Sequence, residues 1–562
     1  MAFSISPGVT VSEVDLTTVV PSVLTTAGAF AGRFAWGPAN KRISVSSESQ
    51  LNQKFGNPNN NNYTSYFTAA SFLAYGNNLK VVRAVGTTTY NAECGAGTNL
   101  QILNEDAFEA TYLNADNADT YGAFAARYPG ALGNSLKVSV ADSASYSAWA
   151  YKSNFAGAPG TSAEATAAGA TNDELHVIVI DAGGLFTGVK NTILETFAFL
   201  SKASDGTDSL GNSNYYKNYI FNNSKYVYAM GPVAYASTNA TWGLPLAGTT
   251  YATIAAAETL TMANGADSTP TAGNYTTAFN QFANADEVDV SLIITGDASV
   301  TVQQTVIDIA SSRKDCITFV SPPSANVVNQ SGNEVTNITA WNSALGRTTS
   351  YAVADSGWKY MFDKYNNVYR WIPLNGDTAG LCVYTDSVRD PWYSPAGYNR
   401  GNLKNVVKLA WNPNKTDRDS LYTLGINPVA TFPGQGTVLF GDKTLLNKPS
   451  AFDRINVRRL FIVLEKAIAQ ASKFSMFEFN DEFTRAQFVA LVTPFLRDIQ
   501  GRRGIYDFRV VCDNTNNTSQ VIDSNQFVGD IYVKPARAIN FIQLNFVAVR
   551  TGVDFTEVVG KF

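Results

Sequence analysis

The sequence of 562 residues predicts a multidomain α+β protein. Three observations support this class. The chain is too long for one hydrophobic core, helix and strand patterns alternate on both sides of an acidic segment, and two helices with a strand form a separate pattern near the C-terminus. The predicted parts are an N-terminal extended arm (1–20), a discontinuous middle αβ domain (21–87 and 276–395), a looped-out β-rich insertion (88–275), a C-terminal αβ domain (396–550) and a C-terminal arm (551–562).

The composition is apolar and aromatic but poor in charge. Hydrophobic residues make up 45% of the chain and aromatic residues 12%, whereas charged residues make up 15%, below the ~25% usual for soluble domains. A polar, weakly charged surface suits a protein that packs against copies of itself, although many secreted β proteins share it. The net charge of −5 argues against direct nucleic-acid binding, which normally requires a strong basic excess.

The N-terminal arm is predicted from a stretch without helical periodicity. Val9 and Val11 fall on one side of an extended chain, and Val14 falls on the other. The stretch is too short to bury a face of its own. An ordinary first strand of a sheet, or a frayed terminus, is the alternative interpretation.

The chain start and the cysteines indicate the compartment. The sequence contains no run of about 18 apolar residues, so we expect no transmembrane helix. The first residues lack the basic start and apolar core of a signal peptide. The four cysteines are scattered without the spacing of a metal site. We therefore expect reduced thiols in a cytoplasmic product.

The first half of the middle domain alternates strands and helices. The pattern predicts a strand over 27–35, a turn over 36–40, a helix over 46–55 that Gly56 ends, a helix over 63–75 and a strand over 79–85.

The insertion is acidic and rich in small residues. Residues 88–275 contain seven Lys and Arg against sixteen Asp and Glu, so the rest of the chain has a small positive excess. Long stretches with few large apolar residues are typical of surface-exposed loops. Within the segment, residues 174–181 predict a strand and residues 190–200 a helix.

The second half of the middle domain resumes the αβ pattern. We predict strands over 286–295 and 315–320, a helix over 300–312, and aromatic-rich strands over 342–351 and 358–370, all joining the sheet begun before the insertion. After them, residues 389–401 contain two prolines and two glycines and predict a hinge-like loop.

The C-terminal domain contains the most regular segment of the chain. Apolar residues recur every three or four positions and predict a first helix with one buried stripe, formed by Leu460, Val463, Leu464, Ala467, Ile468, Ala471 and Phe474. Asn480 is the predicted N-cap of a second helix, which Pro494 should bend and Gly501 can close. Its predicted inward residues are Phe483, Phe488, Leu491, Val492, Phe495 and Ile499.

Strands complete this domain. Phe508, Val510 and Cys512 share one face of a predicted strand, and Asp507 and Arg509 share the other. Residues 527–533 and 538–550 predict two further strands, the last with a clean period of two.

The sequence contains no catalytic constellation. His176, the one histidine, has an apolar neighbour on each side, which favours a structural role. Residues 432–444 resemble a phosphate loop, but Asp442 follows Gly441 where that motif requires lysine. Residues 513–517 lack the glycine and the closing glutamate of a calcium loop. We therefore predict a protein that is not an enzyme and has no cofactor.

Several motifs carry a family resemblance. The stretches RRLFIVLEKAI, FEFND, FLRDIQGRRGIYDF and VVCDNTNN, together with AGRFAWGPANKRISVSS and the Trp-Pro-Gly junction RDPWYSPAGYNRG, resemble contractile tail sheath proteins of myovirus-type tailed bacteriophages. The resemblance implies a virion tail protein, made and assembled in the host cytoplasm. Its copies would stack as six-fold rings around a tail tube, contact baseplate and tail terminator proteins, and shorten on triggering to drive the tube through the host envelope.

The resemblance also implies roles for the parts of the chain. The C-terminal domain would line the inside of the sheath, and the insertion would face outward, without membrane insertion or direct contact with nucleic acid. Four arginines, Arg458, Arg459, Arg502 and Arg503, could meet an acidic tube, or they could be solvated or paired within the domain.

The two arms are the predicted links between copies. A strand of one copy can add to an exposed sheet edge of another. The arm residues expected to do so are Val9, Val11, Val14, Phe546, Val549, Val553 and Phe555. A sheath subunit of a bacterial contractile injection system and a glycan-binding virion protein remain alternatives, the latter because the chain is rich in Trp, Tyr and Asn.

Overall fold

The computed structural model describes residues 20, 23–95, 97, 99–233, 241–540, 542 and 543. The chain is a mixed α/β protein with several sheets, and it divides into two compact units, Met1–Phe474 and Ser475–Phe562. Residues 1–19 of the predicted N-terminal arm and the whole predicted C-terminal arm lie outside the described residues, as do the predicted linking residues Val9, Val11, Val14, Phe546, Val549, Val553 and Phe555.

The first unit contains eighteen of the described strands and thirteen of the described helices. The strands are β1 (Gly28–Gly32), β2 (Arg42–Val45), β3 (Leu79–Arg83), β4 (Phe124–Ala126), β5 (Leu136–Asp142), β6 (Glu174–Asp181), β7 (Thr192–Ser201), β8 (Val227–Ala229), β9 (Glu258–Thr261), β10 (Leu292–Ile294), β11 (Ile317–Val320), β12 (Ala352–Asp355), β13 (Trp358–Asp363), β14 (Val368–Pro373), β15 (Lys408–Leu409), β16 (Ile426–Asn427), β17 (Val429–Phe432) and β18 (Gly436–Leu439). The helices are α1 (Glu48–Phe55), α2 (Tyr63–Leu73), α3 (Glu105–Thr111), α4 (Ala118–Tyr121), α5 (Ala163–Ala167), α6 (Tyr216–Asn223), α7 (Ala272–Asn280), α8 (Val300–Arg313), α9 (Ser324–Val327), α10 (Glu334–Leu345), α11 (Asn375–Val388), α12 (Lys415–Thr423) and α13 (Ile455–Ser472).

A seven-stranded sheet organises the first unit. Its strand order is β16-β12-β11-β10-β1-β3-β2, and every neighbouring pair is parallel except β2 with β3. Phe30 of β1 lies opposite Ile294 of β10 on one side and Val81 of β3 on the other. Strands that precede and follow the predicted insertion in sequence thus share one sheet. The five-part domain division stays a prediction.

Helices cover both faces of this sheet, which explains the composition of its strands. Helices α2 and α11 contact one face, and α7 and α8 contact the other. Strand β1 is buried along its whole length, as expected for a parallel strand covered on both sides. A Cβ at Gly28 would lie 2.6 Å from the Phe72 ring, and one at Gly32 would lie 2.8 Å from the Cβ of Ser65. The glycines therefore permit the close approach of α2.

Most of the predicted αβ elements exist, with shorter strands. The predicted helices correspond to α1, α2 and α8, and the predicted strands to β1, β3, β10 and β11. Residues 358–370 form a hairpin, β13–β14, which β15 extends to a separate three-stranded sheet. The prediction that they join the main sheet is wrong, because β13 pairs antiparallel with β14 and β15. The strand predicted over 342–351 is wrong, because α10 extends to Leu345 and buries Ile338 and Trp341, which follow a helical spacing.

The segment between the two halves of the sheet has its own strands and core. Strands β7-β6-β5-β9 form an antiparallel sheet, and β4 pairs with β8. Strand β6 matches the predicted strand, but the helix predicted over 190–200 is wrong because these residues form β7. Two register shifts interrupt the β6–β7 pairing, and Phe199 has a φ of 54°. The apolar spacing of this stretch resembles that of a helix because these irregularities interrupt the strand period of two.

The long helix α13 has the predicted apolar stripe. Leu460, Leu464, Ala467, Ile468 and Ala471 are buried, and Val463 is half-buried. Phe474, by contrast, lies beyond the helix with 80% of its surface exposed.

The second unit contains helices α14 (Glu482–Gly501) and α15 (Ser519–Asp523) and strands β19 (Ile505–Val511) and β20 (Asp530–Pro535). Asp481, not Asn480, is the N-cap of α14, and its side chain accepts a hydrogen bond from the Thr484 amide. Phe488, Val492 and Ile499 are buried as predicted, and Leu491 and Phe495 are half-buried. Phe483 is 69% exposed, against the prediction, because it precedes the buried stripe in the first turn. Pro494 lies inside the helix.

The remaining strand predictions divide between described and undescribed residues. Phe508 and Val510 are half-buried and Cys512 is buried, whereas Asp507 and Arg509 are exposed, which agrees with the predicted faces. The strand predicted over 527–533 is β20, shifted by about three residues. Of residues 538–550, the described ones are not in a strand, and the others lie outside the described residues.

Candidate functional site

Helix α13 holds two of the four arginines that the sequence suggested for contact with a tube. The guanidinium group of Arg459 donates to both carboxylate oxygens of Asp386 on α11, at 2.8 Å and 2.6 Å. Only 4% of Arg459 is exposed. Burial disfavours its charge, but the Asp386 carboxylate overcomes this effect and raises the pKa of Arg459. The pair is a bidentate internal ion pair.

Arg458 is also buried in the first unit. Its Nε donates to the Ser350 hydroxyl at 3.0 Å, and its guanidinium lies 4.3 Å from the ring centroid of Tyr351 and 4.1 Å from that of Phe452. Burial lowers its pKa. Arg458 and Arg459 therefore do not present charge to a partner, and both are withdrawn as tube-facing candidates.

The other two arginines lie in the second unit and are exposed. Arg502 follows the end of α14, where its guanidinium is 3.5 Å from the carboxylate of Asp498. Arg503, next in the chain, has a φ of 65° and an exposed side chain. A contact of Arg502 and Arg503 with a tube stays a prediction.

Lys466 is a third cationic side chain of α13 that binds groups beside the sheet. Lys466 Nζ lies 2.7 Å from the Asp289 carboxylate and 3.7 Å from that of Asp315, and it donates to the Val290 carbonyl at 3.1 Å. These groups flank β10 and β11. Together with Arg458 and Arg459, Lys466 ties this helix to the core of the first unit along much of its length.

Two further buried ion pairs were missed by the sequence analysis. Lys359 Nζ lies 2.8 Å from a carboxylate oxygen of Asp377, and Lys202 Nζ lies 2.9 Å from Asp142. Each of the four side chains is at most 1% exposed. No local signal could have found these pairs, because the partners are 18 and 60 residues apart in sequence.

His176 has a structural environment. Its Nε2 donates to the Gly157 carbonyl at 2.9 Å, and its Nδ1 accepts from the Phe199 amide at 3.0 Å. The ring stacks on Phe155 with a centroid distance of 4.3 Å. Burial lowers the pKa of His176. Both nitrogens are engaged with the backbone, so the histidine is held as a neutral core residue.

The stretch that resembles a phosphate loop forms a hairpin. Strands β17 and β18 pair antiparallel, and Asp442 beyond them is buried with a carboxylate oxygen 3.0 Å from Arg454. A buried carboxylate engaged by arginine cannot cradle phosphate. Within the described ranges, no three His, Cys, Asp or Glu side chains group as metal ligands, all four cysteines are free thiols, and no helix is long and apolar enough to cross a membrane.

The second unit exposes a two-stranded sheet. Strands β19 and β20 pair antiparallel from Ile505↔Pro535 to Val511↔Asp530. In the part of the chain that the structure describes, neither strand pairs with a third. Tyr506 and Tyr532 are 67% and 60% exposed. Among the described residues, the sheet therefore has two open edges that can accept further strands.

Two protein-family models match consecutive parts of the second half of the chain. The model of the phage tail sheath protein central domain matches residues 268–445, and that of the phage tail sheath C-terminal domain matches residues 447–548. The tail sheath protein of Vibrio phage KVP40 is 35% identical over an alignment that covers 99% of this chain and 100% of the relative.

The chain belongs to the phage tail sheath protein family.

Other relatives agree over the full length. The tail sheath protein of Enterobacteria phage T4 is 33% identical, with 99% of each chain covered, and that of Salmonella phage ViI is 31% identical, with 99% and 98% covered. The chain is thus a structural protein of a contractile phage tail, and its kinship is with a family of structural proteins rather than with enzymes.

Solved sheath structures share the fold. The sheath of an extracellular contractile injection system in its contracted state aligns with a TM-score of 0.52 and 14% identity, covering 97% of this chain and 98% of the other. A sheath tail protein from Listeria innocua aligns with a TM-score of 0.52 and 12% identity, covering 91% and 94%. At these identities the likeness establishes the fold alone.

Proposed function

We propose that copies of the chain stack as six-fold rings around a tail tube and that the assembled sheath shortens on triggering to drive the tube through the host envelope. The observation that carries this proposal is the full-length match, at 35% identity, to a phage tail sheath protein. Assembly takes place in the host cytoplasm, and the ends of the sheath contact baseplate and tail terminator proteins.

The terminal arms are proposed to link the copies by strand addition. An isolated two-stranded sheet is marginally stable in water, and β19–β20 offers two open edges among the described residues. Each backbone hydrogen bond contributes roughly 0.5–1.5 kcal/mol net. Arms that form about four bonds each would therefore hold neighbours durably and still allow the units of each copy to keep their own packing.

Contraction is proposed to draw on the free energy of the lattice. In this account the extended lattice lies above the contracted one in free energy because less interface is buried, and triggering releases the difference. The ion pairs of α13 support this account. The buried pair Arg459–Asp386 and the partly exposed pair Lys466–Asp289 bind the helix to the core and favour movement of whole units over internal repacking.

The chain is proposed to be oriented with its C-terminal domain inward and its acidic insertion outward. Arg502 and Arg503 then become the candidates for contact with an acidic tube surface, because both are exposed. Complementary charge would set the register of copies on the tube more than it would add affinity.

Electron microscopy of the purified chain tests the proposal, with deletions of residues 1–20, of 551–562 and of both. Hollow ring-stacked tubes from the full chain that disappear without the arms would support a sheath joined by added strands. Tubes that survive both deletions would retain the sheath and refute the arms. A chain that stays monomeric and binds glycans would instead favour the glycan-binding alternative.

A further inference from the structure

A loop of the second unit and the first turn of α14 expose four apolar side chains. Residues 476–483, named here the aromatic loop, include Met476, Phe477, Phe479 and Phe483, with exposed fractions of 59%, 101%, 84% and 69%. Phe477 has a φ of 70°, in a region that bulky residues rarely adopt. Soluble monomers rarely expose large apolar patches, and this loop exposes four large apolar side chains within eight residues. We therefore expect a partner to cover it.

The aromatic loop has an anchored base and an acidic character. Asn480 Nδ2 donates to the Gln526 carbonyl at 2.8 Å, and Asp481 caps α14, so hydrogen bonds hold the end of the loop. Glu478 and Glu482 are exposed. Neither forms an ion pair with a described residue. A partner of this loop must therefore offer an apolar surface with positive charge.

The first unit carries a surface with those properties. On the outer side of the sheet β14-β13-β15, Tyr360 lies opposite Trp371 and Phe362 lies opposite Tyr369. The ring centroids of these two pairs are 4.6 Å and 5.2 Å apart, and Tyr360 stacks on Tyr369 at 5.4 Å. Phe362 and Tyr369 are 43% and 51% exposed. We name these four residues and Lys408 the aromatic sheet face.

Lys408 supplies the positive charge of this face. Its Nζ lies 5.1 Å from the ring centroid of Tyr360 and 5.6 Å from that of Trp371. Its side chain is exposed and forms no ion pair within the described part of the chain. The ammonium group is therefore available to a carboxylate of a partner, and the rings beside it are available to aromatic side chains.

We propose that the aromatic loop of one copy binds the aromatic sheet face of a second copy, with Glu478 beside Lys408. Both surfaces are aromatic, and they carry opposite charges. Because the two surfaces differ, the contact is heterologous and repeats from copy to copy, as a helical assembly requires. The inference rests on the proposed function, in which copies of the chain assemble.

Charge reversal tests the pairing. Glu478→Lys and Lys408→Glu should each raise the lowest protein concentration that forms tubes about fivefold, and the combined variant should recover most of the loss. Asp523→Lys is the matched control, because Asp523 is also exposed in the second unit and forms no ion pair with a described residue. Single variants that behave like the control, or a combined variant without recovery, would overturn the pairing.

Truncation tests the apolar part. Phe477→Ala removes a fully exposed ring, so the folded chain should unfold as the wild type does, whereas tube formation should need about thirtyfold more protein if the ring is an anchor at the contact. A variant that forms tubes normally but fails to assemble on purified tail tubes would overturn the inference and assign the loop to the tube instead.

Cross-linking identifies the copy that each surface touches. A chain with Phe477→Cys and Tyr369→Cys should form a ladder of disulfide-linked multimers on mild oxidation of assembled tubes, whereas Tyr506→Cys with Tyr369→Cys serves as the control pair. A band that stays monomeric would overturn a contact between copies. If the wild type forms tubes but the variant with Phe477→Cys and Tyr369→Cys gives no ladder, this inference alone is refuted. If the wild type forms no tubes, the proposed function is refuted as well.

Discussion

Arg459 and Asp386 form a bidentate ion pair between α13 and α11, with N–O distances of 2.8 Å and 2.6 Å. The two side chains are 4% and 6% exposed. A pair of adjacent arginines that suggested a binding surface in sequence is thus part of the internal packing of the first unit.

Removing one partner of this ion pair should destabilise the first unit strongly. Asp386→Asn leaves the Arg459 charge buried and uncompensated, which typically costs about 3–5 kcal/mol. Urea unfolding followed by circular dichroism measures the loss. Asp308→Asn is the control, because its pair with Arg347 is largely exposed and should change the free energy of unfolding by less than about 1 kcal/mol. Equal effects of the two substitutions would contradict the assignment.

Gly28→Ala should destabilise the central sheet. The added methyl group would lie 2.6 Å from the Phe72 ring, so α2 or β1 must move, at a cost of about 1–3 kcal/mol. Gly157→Ala meets nothing within 4 Å and provides the control. Thermal unfolding of both variants checks the prediction, and equal midpoints would show that the contact relaxes freely.

Because of Asp355, the free energy of unfolding should fall as the pH rises. Burial raises its pKa to about 8, whereas its ordinary value is 3.8. Between these values the folded chain keeps a proton that the unfolded chain loses, so the contribution to stability falls with rising pH, by up to about 1.4 kcal/mol per pH unit. Asp355→Asn stays uncharged and can keep the bonds to Ser321 and Gly357.

The stability difference between Asp355→Asn and the wild type should therefore grow in favour of the variant from about pH 4 to pH 8. Urea unfolding at several pH values gives this difference. A constant difference would mean that Asp355 is ionised in the folded chain at neutral pH.

His176 should lower the free energy of unfolding as the pH falls below about 6.5. Burial lowers its pKa from the ordinary value of 6.5, so below that value the unfolded chain binds a proton that the folded chain does not. Stability from this group is present above about pH 6.5 and is lost as the pH falls toward the folded pKa. His176→Gln should flatten this part of the stability curve. An unchanged curve would contradict a buried neutral histidine.

Reversing the charge of the two exposed arginines of the second unit tests their proposed contact with the tube. Arg502→Glu with Arg503→Glu should weaken assembly on purified tail tubes, most clearly at low salt, because each exposed charge contributes up to about 1 kcal/mol and salt screens it. Lys190→Glu, in the segment proposed to face outward, is the control and should assemble normally. Normal assembly of the double variant at low salt would exclude these arginines.

Local patterns predicted the elements whose formation depends on near neighbours in sequence. Strand β6, helices α1, α2 and α8 and the buried stripe of α13 follow from apolar periodicity and caps, because backbone hydrogen bonds and side-chain spacing within one element decide them. The long motifs near the C-terminus also sufficed for the resemblance to tail sheath proteins, which the family models and relatives confirm.

Only the tertiary structure decided features that depend on residues distant in sequence. The apolar spacing of β7 resembles a helix until β6 pairs with it and shifts its register. Phe474 and Phe483 continue an apolar pattern but lie exposed, and Arg458 and Arg459 look like surface charges until Tyr351 and Asp386 enclose them. The sequence determined which segments can form helices and strands, whereas burial and ion pairing were decided by which segments meet, a long-range property that no local pattern contains.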